Sequence, residues 1–292
     1  MLKMVNNKLF DISWKEKKSV ELENAKCSWA NAVFEDISGD GDTYLKTISR
    51  WFEEFTDSNK SEQDGDKLNK LQSTITQEHL GAVNELSWWK FLKSRGFDLQ
   101  PIPIEKKGTS NSDDSEKNKS TPDFNLNFKG SNVIFEVTTL NPAETVKCKL
   151  DDAQKQSFYR IITTSIHNKR KQIEKVHDQK KPFVLVLFNY DNWSGLGTQF
   201  YKLIDDKELF SGLSKILSER PQSRCAEIEI SRGLSTIIYV ERYVRNGISH
   251  YKKDSMVIVH NPNADFSCPK KFEEEVVKSV EAIDNWIVCE KT

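Results

Sequence analysis

Apolar residues recur along the chain with two different periods, and each period predicts a different kind of element. Helical spacing, with apolar residues three and four positions apart, extends over residues 43–55, 67–95 and 152–177. Gly96 follows the second of these segments, and glycine is common just beyond the end of a helix. We therefore expect three helices, the second of which ends at Gly96. A further helical region is expected up to about Ser218.

Strands are predicted by alternating or continuous apolar runs. Residues 123–128 and 133–139 alternate apolar and polar side chains, and the Lys-Gly-Ser-Asn between them is typical of a β-hairpin. Phe183–Phe188 is wholly apolar, as expected of a strand that is buried on both faces. Further extended segments are expected at residues 97–103, Leu234–Val240 and 256–260. Helices that alternate with strands predict an α/β fold, with a mixed central sheet flanked by helices.

Composition shifts divide the chain. Residues 38–42, 56–66 and 105–121 are rich in turn-forming and charged residues and are predicted to be loops. The 292 residues correspond to about two domains of roughly 150 residues each. We interpret residues 1–66 as an N-terminal helical extension and residues 67–292 as the main domain.

Charge and composition narrow the function classes. The 43 basic and 44 acidic residues give a formal net charge of −1, which excludes a nucleic-acid binder that is basic over the whole chain. No apolar run reaches the roughly 18 residues of a membrane span, and polar residues interrupt the N-terminal segment, so we expect neither a membrane segment nor a signal peptide. Five scattered cysteines without a C-x-x-C spacing favour reduced thiols in the cytoplasm over a zinc site.

The predicted hairpin brings two carboxylates together. A two-residue turn would place Asp123 opposite Glu136, and a four-residue turn would place it opposite Thr138. In either register the two carboxylates lie on one face, roughly 5 to 8 Å apart. Such a pair repels unless a cation or a shared proton lies between its members, and its oxygen ligands suit Mg²⁺ or Mn²⁺. The alternative is that Glu136 is solvated and Asp123 caps the turn.

The helix that follows places a cation near the core. Its apolar stripe is formed by Phe158, Ile162, Ile166, Ile173 and Val176. Continuing the helical spacing across the gap in this stripe leads to Lys169 or Arg170. A lysine on the core side needs a partner, unless it extends from the edge of the stripe to solvent. Residues 147–181 also contain ten Lys or Arg against four Asp or Glu, an excess found on solvated helix faces and on surfaces that contact phosphate.

These residues resemble the PD-(D/E)XK nuclease superfamily. The matching positions are Pro122-Asp123, Glu136-Val137-Thr138 on the next strand, and an upstream helical acid, Glu85. The resemblance covers roughly residues 67–265 and implies a restriction-endonuclease-like αβββαβ core. Residues 234–243 and 260–264 are similar to bacterial, uncharacterised relatives of that fold. Thr138 occupies the position where the family has lysine.

The resemblance implies a metal-dependent nuclease that hydrolyses phosphodiester bonds of DNA, of a bacterial or phage type that serves in defence. Asp123 and Glu136 would bind Mg²⁺ or Mn²⁺ together with the Val137 carbonyl and Glu85. Because some family members supply the lysine from the following helix, Lys169 is the leading candidate for that role, with Thr138 and Gln172 as hydrogen-bonding support. Weaker candidates are Arg170, Lys171, Lys147 and Lys149.

Two alternatives remain open at the level of the sequence. A chain that lacks the motif lysine fits a non-catalytic nucleic-acid- or protein-binding module on the same fold. RNA is a second substrate class that the residues do not separate from DNA. Many nucleases of this fold act as dimers, so a homodimer is also expected from the resemblance.

Overall fold

A computed structural model describes the protein at residues 9–10, 14, 40–59, 64–73, 75–103, 121–140, 164–188, 232–240, 242–245, 248–252, 256–261, 264–269, 271–272, 275 and 286–289. Several predictions from the sequence fall outside these ranges. They are the helical region up to Ser218, the loop at residues 105–120, the first part of the 152–177 helix, and the alternative lysines Lys147 and Lys149.

The described ranges contain helices and strands in the order of an α/β fold. The helices are α1 (Asp40–Asn59), α2 (Asp64–Leu71), α3 (Thr76–Ser94) and α4 (Arg170–Asp178). The strands are β1 (Leu99–Pro101), β2 (Phe124–Phe128), β3 (Ser131–Thr139), β4 (Phe183–Phe188), β5 (Leu234–Val240), β6 (Arg242–Arg245), β7 (Ile248–Lys252), β8 (Val257–His260) and β9 (Trp286–Cys289). None of the described helices is long and apolar enough to cross a membrane.

Six strands form a mixed sheet in the order β1-β2-β3-β4-β5-β8. The pairs β1-β2 and β2-β3 are antiparallel, β3-β4 and β4-β5 are parallel, and β8 pairs antiparallel with β5. Strands β6, β7 and β9 form a second, three-stranded sheet. The prediction of an α/β fold with a mixed sheet is confirmed, and β4 and β5 have the predicted bounds.

Side-chain alternation gives the large sheet two apolar faces. On one face, Phe135 and Val137 belong to a buried cluster that also contains Trp88 of α3 and Trp51 of α1. On the other face, α4 contributes the buried Ile173 and Val176. The helix α1 therefore shares the core of the sheet, while the domain boundary that we placed after residue 66 stays a prediction.

A tight turn sets the register of the predicted hairpin. Lys129 and Gly130 have φ angles of 50° and 86°, the left-handed values that a two-residue type I′ turn requires. Phe124 consequently pairs with Phe135, which is the register of the two-residue loop. The hairpin prediction is confirmed, and β3 begins at Ser131, directly after the turn.

The long helix predicted at residues 67–95 is wrong, because the structure has two helices there, α2 and α3. The hydroxyl of Ser73 accepts a hydrogen bond from the Ile75 amide at 3.1 Å and donates one to Glu78 at 2.6 Å. Such local bonds of serine compete with a continuous helix. The predicted end at Gly96 is confirmed: its φ is 83°, and the Phe97 amide donates back to the Leu92 carbonyl at 3.0 Å.

Candidate active site

The site begins where β3 extends beyond its partner β2. The last pair of this ladder joins Phe124 to Phe135, and β3 continues to Thr139 beside β4. Here the Asp123 carboxylate provides the hydrogen bond that a neighbouring strand would otherwise provide, because its Oδ2 accepts the Val137 amide at 2.7 Å. The N–H and C=O of one strand residue point to the same side, so the Val137 carbonyl lies on the same edge of β3 as the amide that Asp123 accepts.

Backbone hydrogen bonds fix Asp123 in this position. Its amide donates to the Phe135 carbonyl at 3.1 Å, and its carbonyl accepts the Ile102 amide at 3.0 Å. The carboxylate therefore projects from a segment that is held on both sides, which is the rigid placement expected of a ligand or catalytic group.

Glu136 lies on the opposite face of β3 from the aromatic core and is buried, with 4% of its side chain exposed. Its Oε1 forms an ion pair with the ammonium of Lys169. Its Oε2 accepts a hydrogen bond from Gln172 Nε2 at 3.0 Å. A buried carboxylate needs such partners, and here both come from the start of one helix.

Lys169 reaches Glu136 because the helical stripe turns it inward. The stripe residues Ile166 and Ile173 on either side of it are buried. Lys169 directly precedes α4, where the backbone leaves the helical conformation (φ −97°, ψ 6°), so the single helix predicted at 152–177 is interrupted there. Arg170, the other candidate at this position, forms an ion pair with Glu174 on its own helix at 2.5 Å.

Gln172 is held in one orientation. Its Nε2 donates to the Thr121 carbonyl at 3.2 Å as well as to Glu136. The reverse orientation would set Oε1 against these two acceptors. Within the described part of the chain, the buried Oε1 has no hydrogen-bond partner. Thr138 is half-buried on the Glu136 face of β3, and the structure thus brings Asp123, Glu136, Lys169 and Gln172 to one end of the sheet.

Glu85 of α3 lies beside the site, but its carboxylate forms an ion pair with a second lysine. Its Oε2 lies 2.6 Å from the ammonium of Lys67 on α2. Sequence reasoning missed Lys67, although the signal was the one that indicated Lys169. Lys67 stands four residues before the buried Leu71 and is therefore on the core side of its helix.

Burial and mutual repulsion shape the charges of the site. Burial, followed by the negative charges of Glu136 and Glu85, holds the pKa of Asp123 well above its usual 3.8. Burial also raises the pKa of Glu136 above 4.5, against the opposing effect of Lys169. Burial acts to lower the pKa of Lys169, but the neighbouring carboxylates, Glu136 first, outweigh it and raise that pKa above 10.5. An added cation would relieve the repulsion among the carboxylates.

The donors present fit a small, hard divalent cation. No group of three or more His, Cys, Asp or Glu in the described ranges is arranged to hold a metal. Mg²⁺ does not need such a cage, because it is commonly bound by one or two carboxylates together with waters and substrate phosphates. Asp123, Glu136 and the Val137 carbonyl provide a donor set of that kind.

Comparison with known proteins found no matching family model, no matching curated protein and no matching solved structure. The resemblance to PD-(D/E)XK nucleases therefore rests on the residues of this chain and on how they are arranged.

Proposed function

We propose that the protein is a metal-dependent nuclease that hydrolyses phosphodiester bonds of DNA. The observation that carries the proposal is the buried Glu136, held by Lys169 and Gln172, beside Asp123 at the open end of the β2-β3 pair. Two carboxylates with a lysine at one strand end are the group that the superfamily uses. Lys169 would take the role of the motif lysine, whose position in the sequence is occupied by Thr138.

The order of elements supports this proposal. From α3 through β1, β2, β3, α4 and β4 the chain follows the αβββαβ order of the restriction-endonuclease-like core. The strands β1 to β3 are antiparallel neighbours, and β4 adds to β3 in parallel. Asp123 directly precedes the second strand, and Glu136 lies inside the third. These are the positions that the resemblance predicts.

Asp123, Glu136 and the Val137 carbonyl would hold Mg²⁺ or Mn²⁺. When bound, the metal would polarise the phosphate and lower the pKa of a water molecule. Lys169, which pairs with Glu136, would orient the attacking water or neutralise charge that develops on the phosphate.

Gln172 and the basic residues of the same region would assist. The unpartnered Oε1 of Gln172 is able to accept a hydrogen bond from a water molecule in the site, and Thr138 offers a hydroxyl beside Glu136. Basic side chains on and after α4 would contact flanking phosphates. In the described range, besides Arg170, which pairs with Glu174, the lysines are Lys171, Lys175, Lys180 and Lys181. The role in defence and the homodimer are carried by the family resemblance alone, and the cytoplasmic location by the five scattered cysteines.

The test compares DNA cleavage by the wild type with that of Glu136→Gln, Lys169→Met and the matched control Arg170→Met. Plasmid DNA, linear DNA and RNA are incubated with Mg²⁺, Mn²⁺ or EDTA. We expect metal-dependent cleavage of DNA that falls by about 100-fold or more in the first two variants. The control removes a neighbouring cation that pairs away from Glu136, and it is expected to retain activity within about threefold.

Each other outcome has a definite meaning. Cleavage that survives Lys169→Met but is lost in Arg170→Met would transfer the role to Arg170. Binding of DNA without cleavage under every metal condition would contradict the nuclease and support the non-catalytic binding module. Cleavage of RNA but not of DNA would contradict DNA as the substrate and show that the protein is a ribonuclease.

A further inference from the structure

A second buried lysine stands beside the site, on a helix that precedes the core elements. Lys67 is 8% exposed, and its ammonium lies 2.6 Å from Glu85 Oε2. The same ammonium is 5.1 Å from the centre of the Phe55 ring and 5.4 Å from that of Phe124. Two aromatic rings and one carboxylate thus form the immediate surroundings of this charge.

These surroundings leave Lys67 little freedom to move. Lys67 is buried, with its ammonium beside the rings of Phe55 on α1 and Phe124 at the start of β2, and a buried ammonium is strongly disfavoured without its anionic partner. Lys67 is therefore unsuited to reach a phosphate in solvent. Its positive charge is instead paired with the Glu85 carboxylate.

Glu136 also pairs with a lysine, but the Lys169 side chain is 23% exposed and can turn from Glu136 to a substrate phosphate. The Lys67 side chain is 9% exposed and has no such path, so Glu85 would be available to a metal only if Lys67 did not hold it. Glu85 lies beside the proposed metal site, because the Lys67 ammonium that it holds at 2.6 Å is also 5.4 Å from the ring centre of Phe124, the residue that follows Asp123. A third oxygen donor at this place would strengthen the binding of a divalent cation. In the structure that donor faces the Lys67 ammonium.

We propose that Lys67 is a positioning residue that keeps Glu85 out of the metal's coordination by holding it in an ion pair. The proposal rests on the proposed function only in that Asp123 and Glu136 bind the metal. Lys67 then limits the affinity for the divalent cation and leaves coordination positions to water and the substrate phosphate. Replacing Lys67 frees Glu85 to become a ligand.

The experiment is a double-mutant cycle of Mn²⁺ binding to the metal-free full chain, without DNA, measured by titration calorimetry. Its members are the wild type, Lys67→Met, Glu85→Gln and the double variant. Methionine keeps the apolar stem of lysine against the rings. We expect Lys67→Met to bind Mn²⁺ about tenfold more tightly, since a nearby positive charge is lost and a ligand is gained.

The cycle separates a freed ligand from a simple change of charge. With Lys67 present, Glu85→Gln is expected to weaken Mn²⁺ binding less than about threefold. In the Lys67→Met background the same change is expected to weaken it about tenfold or more, because Glu85 then ligates. An equal effect of Glu85→Gln in both backgrounds would overturn the proposal.

The chain offers a matched control, the pair of Lys90 with Glu54. Its ammonium and carboxylate are also 2.6 Å apart, and Lys90 is similarly buried, but the pair joins α3 to α1 away from the site. Lys90→Met is expected to leave Mn²⁺ affinity unchanged. Circular dichroism checks folding, and Lys67→Gln provides a second neutral variant with the same expected result if Lys67→Met does not fold.

The result is distinguishable from a failure of the proposed function. A wild type that binds Mn²⁺ but cleaves no nucleic acid contradicts the nuclease, and the cycle still decides the role of Lys67. Absence of Mn²⁺ binding in every folded variant contradicts both proposals.

Discussion

Asp123 shows how a single residue of the site lowers the stability of the metal-free protein. Burial and two neighbouring carboxylates hold its pKa well above 3.8, so the folded state binds a proton more tightly than the unfolded state does. Between the unfolded and folded pKa values, a rise in pH therefore lowers the free energy of unfolding. Above the folded pKa the carboxylate is ionised in an unfavourable place, as is common at sites built for function.

We expect Asp123→Asn to be more stable than the wild type at pH 7 in EDTA, by about 1 kcal/mol. The amide oxygen can still accept the Val137 amide, and the side chain no longer ionises. The gain should shrink as the pH falls from the folded pKa of Asp123 towards 3.8, and it should vanish below that value, where Asp123 is protonated in both states. Urea unfolding at several pH values measures it.

Asp265 provides a control of opposite sign. Hydrogen bonds from His177 and Arg232 lower the pKa of Asp265, so Asp265→Asn should lose stability at pH 7, and the loss should shrink as the pH falls through the pKa of Asp265 in the folded protein. A loss of stability for Asp123→Asn at pH 7 would contradict the explanation given for that carboxylate.

At the scale of elements, the position of α4 decides whether the site exists. Lys169 at its start and Gln172 in its first turn both reach Glu136 from this helix. The far end of α4 is held by His177, whose Nε2 lies 2.9 Å from Asp265. Beside it, α4 packs closely on Gly233, just before β5.

Gly233→Ala tests this placement. An added Cβ would lie 2.7 Å from Ile173 Cγ2 and 3.3 Å from the Cβ of His177, so the Ile173 side chain, or α4 with it, must shift. We expect a loss of about 2 kcal/mol in the free energy of unfolding, together with reduced DNA cleavage. Urea unfolding and the cleavage assay measure the two effects.

Gly81→Ala is the matched control, since it adds the same methyl group inside α3. A Cβ at Gly81 would meet nothing within 4 Å, and alanine favours the helix, so we expect a gain of about 0.5–1 kcal/mol. Equal stability changes at the two glycines would show that close packing at Gly233 does not hold α4.

At the scale of the whole molecule, the N-terminal helix α1 supports the site from within the core. Trp51 and Phe55 are fully buried. The Phe55 ring packs edge-on against Trp89 of α3, with 5.2 Å between ring centres, and also contacts the Lys67 ammonium. One aromatic side chain thus joins α1 to the core and to the pair that holds Glu85.

We therefore expect a fragment of residues 67–292 to lack a cooperative unfolding transition. In the full chain, Phe55→Ala should cost about 4 kcal/mol, because it leaves a large cavity. Phe52→Ala, at a half-buried position of the same helix, should cost about 1 kcal/mol. Circular dichroism during thermal and urea unfolding measures these effects, and a fragment that unfolds cooperatively would establish residue 66 as a folding boundary.

The sequence by itself determined the elements whose signals are local. Alternation of apolar and polar side chains is a property of neighbouring residues, and it identified the hairpin, β4 and β5 and put Asp123 near Glu136. Helical spacing likewise predicted that Lys169 or Arg170 lies on the core side. The catalytic roles of these residues stay predictions for the cleavage assay to decide.

Only the three-dimensional structure decided the features that the apolar pattern leaves open. The turn at Lys129 and Gly130 selected one of two registers that satisfy the same alternation. The helix break before α3 depends on local hydrogen bonds of Ser73, which an apolar pattern does not encode. The pairing of Lys67 with Glu85 depends on a distant partner, since a lysine on the core side is compatible with several carboxylates. The placement of α1 in the core has the same cause, because an amphipathic helix indicates that a face is buried but not what buries it.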